Sequence, residues 1–206
     1  MELLRSWQLK VTVLPHVLDR AGYLAGADAD RAADFTAAWT DPEVAAILCA
    51  RGGYGAQRMV DLVDWAGLRA ARPKPLVGAS DITALHEAVW SQLGVGSYFG
   101  PMPATGAVDD PLSAQCLRRT LTAGPQRLTA PDPTALVGGV ATGVLVGGTL
   151  TLLASGLGTR TCYMPQDAIA FLREGPKTQH RKHDDDDEGD FCVVGQGLTH
   201  VCHCNL

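Results

Sequence analysis

Hydrophobic positions along the chain switch between two periods, and the switching outlines alternating strands and helices. Leu9, Val11 and Val13 alternate with polar neighbours, which predicts a strand over residues 8–14. Residues 1–7 read as the end of a helix, and residues 16–27, with Gly22 and Gly26, as a loop. Ala32, Phe35 and Trp39 share one helical face behind a cap at Asp28 or Asp30, and Pro42 follows that helix. Residues 44–49 are continuously apolar, the mark of a strand covered on both faces. Met59, Leu62, Val63 and Ala66 fall at i, i+3, i+4 and i+7 and predict one amphipathic helix. Pro75, Leu76 and Val77 form an apolar run that stops at Gly78, after which Ile82, Leu85 and Val89 recur at helical spacing. That pattern predicts a buried strand turning sharply into a helix.

The later pattern is similar. A short strand is expected over residues 98–102, a helix over 113–121, a buried strand over 141–146 and another helix beginning near Leu150 and Leu153. Residues 168–172 read as a further strand. Strand and helix alternate through the first half, which argues for an α/β fold, a parallel sheet flanked by helices. The expected division is an α/β domain over residues 1–165 and an atypical, poorly ordered tail over 166–206.

Composition narrows the function classes. A net charge of −5 leaves no basic footprint for nucleic acid. No basic-then-apolar leader opens the chain, so a cytoplasmic location is expected, with the six cysteines reduced. Residues 133–159 carry no charge and contain two Gly-x-x-x-Gly spacings, as membrane helices do. Frequent glycines and Thr142, Thr149 and Thr151 dilute that run. A Gly-Gly pair inside it reads better as a turn between a buried strand and a helix, so no membrane span is expected. Residues 177–190 are a charge run. Cys192, His200, Cys202, His203 and Cys204 invite a zinc reading, but the Cys-His-Cys residues are packed too closely to close a tetrahedron together, and no metal is expected.

Two loops carry candidate chemistry. Ser80 stands two residues after Gly78, at the position of a nucleophile elbow, where a strand-to-helix turn exposes a hydroxyl beside free backbone N–H groups. The alternative for Ser80 and Asp81 is a plain helix cap. The second loop is Arg51-Gly52-Gly53-Tyr54-Gly55. In a parallel sheet both loops fall at the carboxyl edge, where such folds bind ligands. A phosphate cradle is the minor alternative for residues 51–55, which lack the Gly-Lys-Ser/Thr ending of a P-loop.

In combination these motifs resemble the LD-carboxypeptidase family of serine peptidases, which includes the microcin-immunity proteins. The matching words are Ala50 through Gly55, Pro73-Lys74-Pro75, Gly78 through Leu85, Gly100-Pro101-Met102, Gly147-Gly148-Thr149-Leu150 and Gly158-Thr159. The resemblance implies a serine carboxypeptidase that cuts an L,D-amide bond in muropeptides during cell-wall recycling, or a related amide in a peptide-nucleotide antibiotic. It implies no metal or organic cofactor, a small peptide substrate and a possible homodimer. By position, Ser80 matches the nucleophile, and the oxyanion donors would be backbone N–H groups near Gly53 and at Asp81. The family's catalytic Glu and His are not matched. Glu174 is one place late on its strand, Pro176 stops the helix that should follow, and Thr149 stands where the family usually has Asn. The C-terminal domain is expected to be largely missing. His86 follows Ser80 on its helix and reads as a surface or core histidine rather than the base, while His180, His183, His200 and His203 lie in the tail. A serine hydroxyl is a weak nucleophile without a base, so the alternative function is a catalytically inactive, peptide-binding remnant of the same domain.

Overall fold

The computed structural model describes residues 2–125 and 135–173, together with two strand pieces, Cys192–Val194 and Cys202–Cys204. After α1 (Glu2–Ser6) comes α2 (Asp28–Thr40), which buries Ala32, Phe35 and Trp39 as the periodicity requires, and Ala38 as well. Its cap is Ala27, without a side-chain bond, rather than an aspartate. Asp28 lies in the first turn, where a carboxylate suits the helix dipole, and it pairs there with Arg31 and Arg58.

A parallel sheet holds the strands of the first half. Its order is β1 (Ile47–Leu48), β2 (Leu76–Gly78) and β3 (Tyr98–Phe99). Ile47 registers with Leu76, and Val77 with Tyr98. Leu76, Val77 and Phe99 are at most 1 % exposed. Burying each of the larger ones contributes about 1.5–3 kcal/mol. Helix α5 (Thr83–Leu93) packs Leu85 and Val89 into this core, where Phe35 meets Trp39 at 5.7 Å and Trp65 at 5.8 Å between ring centroids.

The expected single helix across Met59 to Ala66 is broken into α3 (Ala56–Met59), a 3-10 turn (Val60–Leu62) and α4 (Trp65–Leu68). Val63 is extended, and Asp64 starts α4 by accepting a hydrogen bond from the Gly67 amide at 3.1 Å. The break turns Leu62 out to solvent and Trp65 in, where its Nε1 donates to the Val60 carbonyl at 2.9 Å. Residues 8–14 form no strand. Their alternation is real, but it meets no neighbouring ladder, and Val13 is half exposed. An extended segment without a pairing partner leaves its backbone groups to water.

Lys74 shows why residues 73–75 matter. Its buried ammonium donates to the carbonyls of Ala38, at 2.8 Å, and Asp41. It therefore closes the C-terminal end of α2, whose last carbonyls have no helical partner.

After α6 (Pro111–Ala123), capped by Asp110, the chain forms β4 (Val144–Thr149), α7 (Leu150–Gly156) and β5 (Ala168–Arg173). Strands β4 and β5 pair in parallel along their whole length, from Val144 with Ala168 to Thr149 with Arg173. The Gly147-Gly148 pair stands inside β4, just before the turn into α7. The pieces Cys192–Val194 (β6) and Cys202–Cys204 (β7) pair antiparallel. Among the described residues, no helix is long and apolar enough to cross a membrane. The charge run and the expected metal-free Cys/His cluster fall on residues outside those whose side chains are described.

Candidate functional site

The site begins where β2 ends. A Cβ on Gly78 would lie 2.6 Å from Ile82, so only glycine lets the chain fold back this tightly. Ser80 follows with φ 58°, a left-handed conformation that costs a residue with a Cβ about 1–2 kcal/mol. A 3-10 turn (Ser80–Ile82) then feeds α5. The turn is braced from below: Thr83 Oγ1 donates to the Ser80 carbonyl at 2.7 Å and accepts from the Thr149 amide at 3.0 Å. Ser80 itself is half-buried. A strained serine on a strand-to-helix turn is the geometry of a nucleophile elbow.

The second loop comes from β1. Because β1 and β2 are parallel neighbours, their carboxyl ends lie side by side. A Cβ on Gly52 would sit 3.0 Å from Ser80 Cβ and 3.4 Å from the Asp81 amide nitrogen, so the loop backbone rests directly against the elbow. Gly53 comes next with φ 129°. The Gly52 backbone thus packs against Ser80 and the Asp81 amide, while Gly53 beside it faces the Arg51 side chain. Main-chain N–H groups beside a turn hydroxyl are the parts of an oxyanion hole. Tyr54 stands on the rim, largely exposed, 5.8 Å from the exposed Tyr23 between ring centroids.

The Asp81 carboxylate points away from solvent. It is 6 % exposed, and Oδ2 accepts from the Ala56 amide at 2.9 Å. Burial raises its pKa, while hydrogen bonds from the Ala56 and Gly55 amides and the charge of Arg31 act the other way. Sequence reading assigned Asp81 only through its backbone. The side chain's contact with residues 55–56 joins positions 25 apart and left no local signal.

His86 is a core histidine, and the structure gives it a definite role. Nε2 lies 2.9 Å from the Gly78 carbonyl, and Nδ1 lies 2.8 Å from Ser97 Oγ. A carbonyl only accepts, so Nε2 carries the proton and Nδ1 accepts from the Ser97 hydroxyl. Burial pushes its pKa down to about 4. The neutral ring steadies the last residue of β2, directly before the elbow. Next to it, burial raises the pKa of Glu87, whose Oε2 accepts from Cys162 Sγ at 3.4 Å. Burial, with Glu87 beside it, pushes the Cys162 thiol up to about 11, which keeps it an inert thiol.

Among the residues whose side chains are described, the histidines are His16 and His86. Nδ1 of His16 pairs with Asp34 at 2.9 Å, a contact that raises its pKa. Side-chain atoms of His16, Asp19 and Asp30 come within 4.8 Å of one another, the only group of metal-ligand type among the described residues. It shares no residue with the elbow. Glu174, His180, His183, His200 and the His203 side chain lie outside the described residues.

Residues 1–100 match the model of the LD-carboxypeptidase N-terminal domain. The chain is similar to a putative carboxypeptidase of Streptomyces coelicolor, 54 % identical over 164 residues, which cover 77 % of this chain and 53 % of that protein. It is also similar to the murein tetrapeptide carboxypeptidase of Pseudomonas aeruginosa, 40 % identical over 177 residues, covering 81 % of this chain and 57 % of that protein. An MccF-like protein from Bacillus anthracis shares the fold, with a TM-score of 0.73 at 24 % identity, over 84 % of this chain and 60 % of that one. The chain spans about half the length of the curated relatives it matches.

Proposed function

The chain belongs, through residues 1–100, to the LD-carboxypeptidase family, and from that premise we propose that it carries the nucleophile half of a serine carboxypeptidase acting on murein-type peptides. Ser80 Oγ attacks the carbonyl of an amide between an L-centre and a D-residue. The carbonyl oxygen becomes an oxyanion, received by the amides at Asp81 and near Gly53. The tetrahedral species expels the D-residue's amine, which takes up the proton that the Ser80 hydroxyl gave to the base, and leaves an acyl ester on Ser80. Water then hydrolyses the ester and regenerates the hydroxyl. The substrate is a small peptide, the compartment is the cytoplasm, and the chemistry needs no metal or organic cofactor. The unit that performs it is the α/β domain of residues 1–165.

The observation that supports this reading most is Ser80 at φ 58° with the Gly52 backbone packed against it. Strain of this kind is retained where function uses it. The attacking hydroxyl needs a base. His86 does not serve, because its Nε2 proton is held by the Gly78 carbonyl. Among the residues whose side chains are described, no histidine is placed to act as that base.

A second reading, peptide binding without turnover, is favoured by one observation: the two histidines whose side chains are described, His16 and His86, are engaged away from Ser80. Labelling with a fluorophosphonate probe separates the two. Labelling of the wild type that disappears in Ser80→Ala, with the fold retained by circular dichroism, supports the peptidase. An L,D-tetrapeptide bound by both proteins, without labelling or release of the D-residue, supports the binding module.

A further inference from the structure

We propose that the Asp81 side chain is a positioning residue: its carboxylate latches the 51–55 loop to the elbow, so that the Gly52–Gly53 backbone faces Ser80. The inference rests on the peptidase reading for its purpose, but its geometry stands apart from any turnover.

The loop needs a latch. Three of its five residues are glycines, at 52, 53 and 55, and glycine has the largest conformational freedom to lose. Beside local bonds from Arg51 to the Gly52 carbonyl and from Arg58 and Met59 to the Gly55 carbonyl, contacts from distant parts of the chain restrain its backbone. Arg31 donates to the Gly55 carbonyl at 3.0 Å, the Ala104 amide donates to the Ala50 carbonyl at 2.8 Å, and the Ala56 amide donates to Asp81 at 2.9 Å. The first two tie the loop to α2 and to the segment after β3. Only the third ties it to the residue that follows Ser80. It therefore sets the distance between the two halves of the proposed oxyanion hole, one at Asp81 and one near Gly53.

The chemistry of the group fits. An ionised carboxylate only accepts, and it faces the Ala56 and Gly55 amides, which only donate. An apolar side chain there would strand the Ala56 amide, and an asparagine would present a donor to one of the two. Burying a carboxylate carries a desolvation penalty, so packing alone would favour an apolar residue.

The experiment uses the whole chain and reads amide hydrogen exchange by NMR. In the wild type the Ala56 amide should be the most protected of residues 52–56. Exchange at the rate of unstructured chain would overturn the latch whatever the variants do. In Asp81→Asn and Asp81→Ala, amides 52–56 should exchange about tenfold faster, while those of α5 such as Val89 hold their rate. Tryptic cleavage after Arg51 should speed up in parallel. A uniform acceleration across loop and core would mean a merely structural role and would overturn the proposal, as would unchanged loop exchange. Fluorophosphonate labelling is measured on the same proteins. If the wild type labels at Ser80, Asp81→Asn should label about tenfold more slowly, because a misplaced donor forfeits part of the roughly 10²–10³ that a removed one costs. Equal labelling would overturn the proposal. If the wild type does not label at all, the peptidase reading fails, and the exchange data alone decide the latch.

Discussion

The buried His86 makes the stability of this protein depend on pH in a way that can be isolated. Its pKa is about 4 in the fold, against 6.5 for an exposed histidine. The folded state therefore stays neutral at pH values where the unfolded chain takes up a proton. A base whose pKa falls on folding contributes its full stability above the unfolded value, and that contribution is lost as pH drops. The loss begins near pH 6.5, steepens to about 1.4 kcal/mol per pH unit, and reaches about 3 kcal/mol at pH 4. Other groups pull in both directions. Asp81 and Glu87 are raised carboxyls, Asp28 and Asp110 are lowered ones, and His16 is a raised histidine. Their effects cancel in a difference between two proteins that differ only at position 86. The variant is His86→Gln, whose amide can still donate to the Gly78 carbonyl without titrating. Urea unfolding of both proteins at half-unit steps from pH 7.5 to 4.5 supplies the curve. The wild-type advantage should be flat above pH 7 and shrink by about 2–3 kcal/mol toward pH 4.5. A difference that stays flat across the range would show that His86 is solvated or charged in the fold, and its role beneath the elbow would be withdrawn.

Two further outcomes follow from the same structure. At position 80, with φ 58°, Ser80→Gly should be more stable than Ser80→Ala by about 1 kcal/mol, because only glycine is unstrained there. Both should lose reactivity, and thermal melts in which the alanine variant equals or exceeds the glycine variant would remove the strain from the argument. Lys74→Met should lower stability by about 1–2 kcal/mol. It leaves the Ala38 and Asp41 carbonyls without their donor, while the relief of burying a charge offsets part of the loss. Denaturant melts that find the methionine variant as stable as wild type would show that this end of α2 does not depend on the ammonium.

Much of the architecture was legible before any coordinates. The run ending at Gly78 and the spacing of Ile82, Leu85 and Val89 correspond to β2, the turn at Ser80 and α5. The face of α2 and the strand after Asp167 were equally plain. Misreadings came where a pattern needed a distant partner to become structure. Residues 8–14 alternate like a strand yet find no ladder. Met59, Leu62, Val63 and Ala66 have helical spacing, but a local cap at Asp64 and the pull of Trp65 into the core break the helix. The Lys74 side chain was visible as part of a motif, but its service to α2, 36 residues upstream, was not.

By itself the chain's order of residues determined that a serine would sit on a tight strand-to-helix turn and that a glycine loop would follow an earlier apolar strand, though that strand is two partly buried residues at the sheet edge rather than one covered on both faces over residues 44–49. Those outcomes depend on sterics and periodicity within a few neighbouring residues, which a linear pattern records. Only the tertiary structure decided that β1 lies beside β2, which brings Gly52 against Ser80. It also decided that the Asp81 carboxylate turns toward residues 55–56 and that His86 turns beneath Gly78. Strand neighbours and buried polar pairs are chosen by which arrangement satisfies every hydrogen bond once water is excluded. That condition is settled over the whole core at once, between residues far apart in the chain.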